Sequence, residues 1–266
     1  MSRPDPAFWA GKRVLLTGHT GFKGGWAAIW LAALGARVTG LALAPDQTPA
    51  LYDLAGIEGL VRSRIVDLRA ADAVEEALSG ETFDLVLHMA AQPIVRAAIE
   101  DPVGTFASNI MGTAHLLQAL RAQPALQACL VVTSDKVYAN AETGHAFAED
   151  DPLGGKDPYS ASKAAAEIVV QSFARSFYDR PGFPWPPPGA GTSSAAGTSP
   201  AIAWWPTSCA PARPRARPCC AIRRRPAPGS TCSTAWRAIS SIWSIWRSIR
   251  RRRGRSISGP GPAGRR

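Results

Sequence analysis

The chain reads as a doubly wound α/β domain followed by a segment of different character. Three observations predict this. Short apolar runs without polar alternation recur through the first 180 residues, and strands of that kind are buried on both faces. Stretches with helical apolar spacing separate them, which is the order of a parallel sheet covered by helices. The composition then changes near residue 180. Residues 1–180 hold all 20 acidic residues and 15 of the 30 basic ones. Residues 181–266 hold 15 Arg, 14 of the 23 Pro and 4 of the 5 Cys, but no Asp, Glu, Lys, Leu, Val, His, Tyr, Asn, Gln or Met. The formal charge of +10 therefore joins two unlike parts, about −5 before the break and +15 after it.

The elements follow in order. Arg13 to Thr17 is an apolar run ending in a glycine-rich turn, a buried first strand. Lys23 to Leu34 carries Trp26, Ile29, Trp30 and Ala33 at helical spacing, and Gly35 is a natural stop. Arg37 to Leu41 and Ser63 to Val66 read as strands two and three, with a helix through Val74 and Leu78 after the latter. Phe83 to His88 is strand four, Val103 to Leu120 a long helix, Ala128 to Thr133 strand five, and Tyr159 to Tyr178 another helix. From Pro181 the pattern stops. Pro186 to Pro188 and the Gly/Ser/Thr run that follows read as linker, and Ile239 to Ile249 could form a short basic amphipathic helix.

No ordinary packed domain omits ten residue types, so residues 181–266 need their own explanation. Arg, Pro, Ala, Gly, Ser, Thr, Cys and Trp are what GC-rich DNA yields in a wrong reading frame. With free choice of synonymous codons, the adjacent frame turns Gly182 through Thr198 into LPVATARGGNVIGGGDF, and the next stretch into ARDRLVADIVRA. It turns Pro226 through Ile245 into RPWQHVLDSLAGYLLYLEHL. One frame thus restores the missing Leu, Val, Asp and Tyr. The expected organisation is a domain over 1–180 and an irregular, out-of-frame tail over 181–266. The tail's Cys209, Cys219, Cys220 and Cys232 have no metal-ligand spacing. No run of about 18 uncharged apolar residues exists to span a membrane. The first residues lack an apolar signal core, and Cys129 is a lone core thiol, so the expected location is the cytoplasm.

The chemistry lies before the break. Gly18-His-Thr-Gly21-Phe-Lys-Gly24 joins the first strand to the first helix. Glycines there allow a tight turn and bring backbone N–H groups close to a pyrophosphate at the positive helix end. Alone such a turn serves either a dinucleotide or the turn itself; its strand–turn–helix setting favours the first. The region where a ribose-binding acid would stand holds none before Asp46, and no Arg for a 2′-phosphate, so the cofactor reads as NAD. Tyr159 and Lys163 stand four apart on one helix face, where an ammonium can favour the phenolate. Ser134, Asp135 and Lys136 follow strand five, at the sheet edge where open α/β folds bind ligands; Ser and Asp also make ordinary turns. His19 and His88 read as packing residues.

Together GHTGFKG, Asp67-Leu68, HMAAQ over His88 to Gln92, Asn109, TSDKVY and YSASK resemble the extended short-chain dehydrogenase/reductase family over about residues 10–178. Within it they are similar to the nucleotide-sugar 4,6-dehydratases acting on CDP-glucose, which carry Lys where most such dehydratases carry Glu. GNVIGGGD and RPWQHVLD, in the adjacent frame, resemble that family's later segments. The resemblance implies a Rossmann-like, NAD-dependent lyase acting in deoxysugar biosynthesis. It implies that Tyr159 takes the hexose 4-hydroxyl proton with Ser134 bonded to the same oxygen. Lys163 would assist Tyr159, Asp135 would be general acid for the 6-hydroxyl, and Lys136 would help remove the proton at carbon 5. Gly18, Thr20, Gly21, Phe22 and Gly24 would line the pyrophosphate, Asp67 and Leu68 the adenine. Ala90, Ala91, Gln92, Asn109, Tyr159 and Lys163 would complete the cofactor site. The family's nucleotide-sugar residues come mainly from its second half, so the chain as written would hold NAD weakly and turn nothing over. A homodimer through Val103 to Leu120 and Tyr159 to Tyr178 is implied too. The competing readings are an epimerase or reductase on another nucleotide-sugar, or an inactive fragment whose basic tail binds phosphates without specificity. No specific nucleic acid and no membrane is expected as partner.

Overall fold

A computed structural model describes residues 5–178, apart from residues 124, 146, 149 and 150, together with the backbone of residues 201–205. The elements are α1 (Pro6–Trp9), β1 (Arg13–Thr17), α2 (Phe22–Ala33), β2 (Arg37–Ala42), α3 (Leu51–Leu54), β3 (Arg62–Ile65), α4 (Ala71–Leu78), β4 (Leu85–His88), α5 (Val95–Glu100), α6 (Pro102–Phe106), α7 (Gly112–Leu120), β5 (Ala128–Val132), α8 (Pro158–Phe173) and β6 (Ala201–Trp205). The strands are parallel in the order β3-β2-β1-β4-β5-β6. Chain order reverses direction between β1 and β4, and a crevice opens at the carboxyl ends of strands at such a point.

Strand alternation sorts the core onto two faces. Val14, Leu16, Leu85, Leu87, Ala128 and Leu130 pack on one side with Ala28 and Leu31 of α2. Leu15, Val86, Cys129 and Val131 pack on the other with Leu116, Leu117 and Leu120 of α7 and Val170 of α8. Both faces are apolar because helices cover both, which is why these strands lack polar alternation in sequence. Burial raises the Cys129 thiol to about 12, which makes it an inert core residue.

Helix limits have local causes. Gly35, at φ +83°, ends α2. Asp101 and Asp157 cap α6 and α8 through the N–H groups of Gly104 and Ser160, each with proline as the next residue. The expected helix over Val103 to Leu120 is a continuous run from Pro102 to Leu120, but a π-turn at Ala107–Met111 interrupts it. A second π-turn, Ala174–Tyr178, closes the run that α8 begins.

Within the segment read as irregular, Ala201–Trp205 adds a sixth parallel strand beside β5. A buried parallel edge offers unpaired N–H and C=O groups that an extended apolar run can satisfy. The expected amphipathic helix at Ile239 to Ile249 and the four tail cysteines lie outside the described residues. Among the described residues no helix is long and apolar enough to cross a membrane.

Candidate active site

The site is built from three chain exits at the carboxyl edge of the sheet, after β1, β4 and β5. The first exit is the glycine turn. Gly18 has φ +77°, and a Cβ there would lie 2.8 Å from the Ala90 nitrogen. Its lack of a side chain lets the turn after β1 touch the loop after β4. A Cβ on Gly24 would overlap the Gly18 carbonyl oxygen, so Gly24 lets α2 approach the turn. Gly21 caps α2 without a side-chain bond, leaving first-turn N–H groups for a ligand. Thr20 points elsewhere: its hydroxyl donates to the Leu43 carbonyl, 2.9 Å away, tying the turn to the end of β2. Phe22 opens the helix with 61% of its surface exposed.

The second exit is held by a chain of hydrogen bonds whose directions are fixed. The Thr17 oxygen accepts from the Met89 and Ala90 N–H groups. Its proton therefore goes to Nδ1 of His88, 2.7 Å away. Thr113 donates to the Asn109 carbonyl, so it accepts from Nε2 of His88 at 3.0 Å. His88 is thus a neutral Nε2–H imidazole, and complete burial pushes its pKa down to about 3, with Lys163 reinforcing. His88 packs between Thr17 and Thr113, and through Thr17 it helps set Ala90. His19 is buried too: its Nε2 lies 2.7 Å from the Ser63 hydroxyl, and burial lowers its pKa to about 4.

Asn109 connects this loop to α8. Its side-chain oxygen accepts from the Gln92 N–H at 2.8 Å, and its nitrogen donates to the Gln92 carbonyl and to Ser162. Ser162 donates in turn to the Tyr159 carbonyl. The π-turn that carries Asn109 lies at such a junction, a common setting for π-turns.

The third exit meets α8. Tyr159 shares a hydrogen bond with Ser134. Ser134 also bonds the Asp135 carboxylate at 3.2 Å and accepts from the Lys136 N–H. Lys163, 7% exposed, donates to the Val132 carbonyl at 3.1 Å. Tyr159 and Lys163 therefore engage neighbouring residues at the end of β5, as their four-residue spacing predicts. Burial pushes Lys163 down to about 8; the Lys23 ammonium of α2 adds to this and Glu167 opposes it.

The expected lowering of the Tyr159 phenol is not met. Burial raises its pKa; the Ser134 hydrogen bond opposes this, and the Asp135 and Asp157 carboxylates reinforce it. The Lys163 ammonium is turned to a backbone carbonyl, whereas two carboxylates face the phenol. The Asp67 carboxylate is held by Arg69 at 2.6 Å, which pulls it below its ordinary range. Lys136 is exposed. The sequence reading omitted Thr17, Thr133, Ser162 and Glu167. Glu167 had a signal in its spacing, one turn beyond Lys163 on the same face.

A dinucleotide fits these features: glycines where side chains would collide, an uncapped helix start, and a half-buried Tyr with a buried Lys across the sheet edge. Residues 14–182 match the NAD dependent epimerase/dehydratase family, and the chain belongs to it. A CDP-glucose 4,6-dehydratase of Salmonella typhimurium is 42% identical over 175 residues, 66% of this chain and 49% of that protein. Among solved structures, a dTDP-glucose 4,6-dehydratase from Streptomyces venezuelae with NAD bound superposes with a TM-score of 0.53 at 27% identity, covering 62% of this chain and 52% of that one. A UDP-glucose 4-epimerase from Thermus thermophilus in complex with NAD gives 0.54 at 32% identity, covering 62% and 51%. The chain spans about half the length of the curated relatives it matches.

Proposed function

We propose that residues 1–180 carry the cofactor and catalytic half of an NAD-dependent lyase that converts CDP-glucose to CDP-4-keto-6-deoxyglucose and water. The observation that carries this is the joining of Ser134, Asp135 and Tyr159 at the end of β5, opposite the glycine turn. The similarity to a CDP-glucose 4,6-dehydratase supports the substrate.

When bound, NAD would accept the carbon-4 hydride as the ketone forms and give it back to carbon 6 once water is lost, and its cationic ring would favour the phenolate that the carboxylates oppose. Gly18, Gly21 and Gly24 would hold the pyrophosphate by backbone N–H groups, with Ala90, Ala91, Gln92 and Asn109 shaping the opposite wall. Tyr159 takes the proton of the hexose 4-hydroxyl, with Ser134 donating to the same oxygen. The resulting ketone acidifies carbon 5. Lys136 removes that proton, and Asp135 protonates the departing 6-hydroxyl. Protonation of carbon 5 then completes the 6-deoxy product. An epimerase needs no acid–base pair for loss of water, so Asp135-Lys136 favours dehydration over the epimerase reading.

The protein is proposed to act as a cytoplasmic homodimer. Val103, Phe106 and Met111 on the α6–π-turn run and Ile168 on α8 are exposed apolar residues, and adjoining exposed apolar side chains on packed helices suit a partner subunit. Residues 181–266 are proposed to arise from a one-nucleotide slip within about codons 178–182, so the chain as written lacks the nucleotide-sugar half. Incubating the frame-restored protein with CDP-glucose and NAD tests the function. The expected result is a 4-keto product absorbing in alkali; a 4-epimer, or unchanged CDP-glucose, overturns it.

A further inference from the structure

We propose that Glu167 is a positioning residue of this site: its carboxylate braces Thr133 at the end of β5 and, one turn along α8 from Lys163, is the counter-charge of that ammonium. Its consequence for catalysis rests on the dehydratase reading, but its test does not.

Glu167 is 2% exposed, and a carboxyl group buried to that degree is retained only with a partner. The Thr133 hydroxyl donates to it at 2.7 Å. Lys163, four residues earlier on the same face of α8, donates to the carbonyl of Val132. Two ionisable side chains of one helix thus grip consecutive residues at the end of β5, and the next residue is Ser134.

The charges around Lys163 make the second role specific. From α2 comes the like charge of Lys23, from β4 the His88 imidazole, and from α8 itself Glu167. Burial and Lys23 both act against the ammonium, and Glu167 is the group that acts for it. Burial likewise raises Glu167 to about 7, with the Thr133 bond and Lys163 opposing. The charged form of each group thus favours the charged form of the other.

The test is a titration of the full 266-residue chain carrying 13C at the lysine ε-carbons. There are five lysines: Lys12, Lys23, Lys136, Lys156 and Lys163. Loss of one signal in Lys163→Arg assigns the relevant resonance. Glu167→Gln keeps an oxygen for Thr133 but removes the charge, so the Lys163 midpoint is expected to fall by about one unit or more. An unchanged midpoint in the folded variant overturns the proposal. If Glu167→Gln does not fold, the wild-type chain with 13C glutamate carboxyls decides. A shared inflection in the Lys163 and Glu167 signals supports the pair, and independent curves overturn it. Neither outcome bears on the dehydratase reading, which the product assay judges separately.

Discussion

Tyr159 carries the sharpest lesson at the residue scale. A four-residue spacing puts Tyr and Lys on one helix face, and from that the sequence predicts a loosened phenol. Spacing says nothing of where each side chain finds its hydrogen bond. Lys163 finds the Val132 carbonyl, and Tyr159 sits near Asp135 and Asp157, so its pKa is raised. The phenolate therefore has to come from a bound cation. In the frame-restored protein, an ultraviolet titration is expected to show the Tyr159 midpoint above the ordinary phenol value without NAD and lowered by saturating NAD; equal midpoints would contradict this. Tyr159→Phe is expected to cost about a hundred- to ten-thousand-fold in dehydratase kcat, the usual worth of a placed acid–base group, with NAD binding retained by equilibrium dialysis. His88 gives a pH prediction. Its folded pKa of about 3 lies below the ordinary histidine value. The unfolded chain therefore takes up a proton first as pH falls below about 6.5. His88 stabilises the fold fully above that value, and its contribution is lost as pH falls toward 3. The Tm of the chain should drop across that range, and less steeply in His88→Gln.

Elements were legible where one principle set them. All five expected strands are present; four are covered on both faces and announce themselves as apolar runs, whereas β3 is an edge strand with polar residues on both sides. The helices from Lys23 and from Tyr159 lie within a residue of their expected starts. The short helices α3 and α5 escaped, since four to six residues leave no period to read. The π-turn at Ala107–Met111 was hidden within an unbroken apolar pattern, although it sets the position of Asn109. Asp-Pro at 101–102 and 157–158 was an unused start signal for α6 and α8. Asn109→Ala removes three hydrogen bonds that join the Gln92 loop to α8. It should destabilise the fold by about 1–3 kcal/mol per group left unpaired, measurable by urea unfolding. Gly24→Ala forces α2 away from the Gly18 carbonyl. Its expected effect is a lower Tm and weaker NAD binding, checked by calorimetry.

At the scale of the whole molecule, charge and composition divide where the family match ends. The match closes at residue 182, and the last acidic residue is Asp179. The proposed slip in the reading frame would account for both, for the Arg excess and for the strings GNVIGGGD and RPWQHVLD in the adjacent frame. Nucleotide sequence across codons 175–190 checks it: codons able to yield LPVATARGGNVIGGGDF are expected, and codons unable to do so end the idea. The strand Ala201–Trp205 was not legible because no periodicity marks five residues in a segment poor in Leu and Val; pairing with β5 alone defines it.

In the proposed cycle a sugar 4-hydroxyl loses its proton to Tyr159, water is lost across carbons 5 and 6, and the carbon-4 hydride returns to carbon 6. The most direct measurement uses CDP-glucose deuterated at carbon 4 with the frame-restored protein. The account predicts a 4-keto-6-deoxy product with that deuterium on carbon 6. Deuterium lost to solvent, or retained at carbon 4 of an unreacted or epimerised sugar, would contradict it.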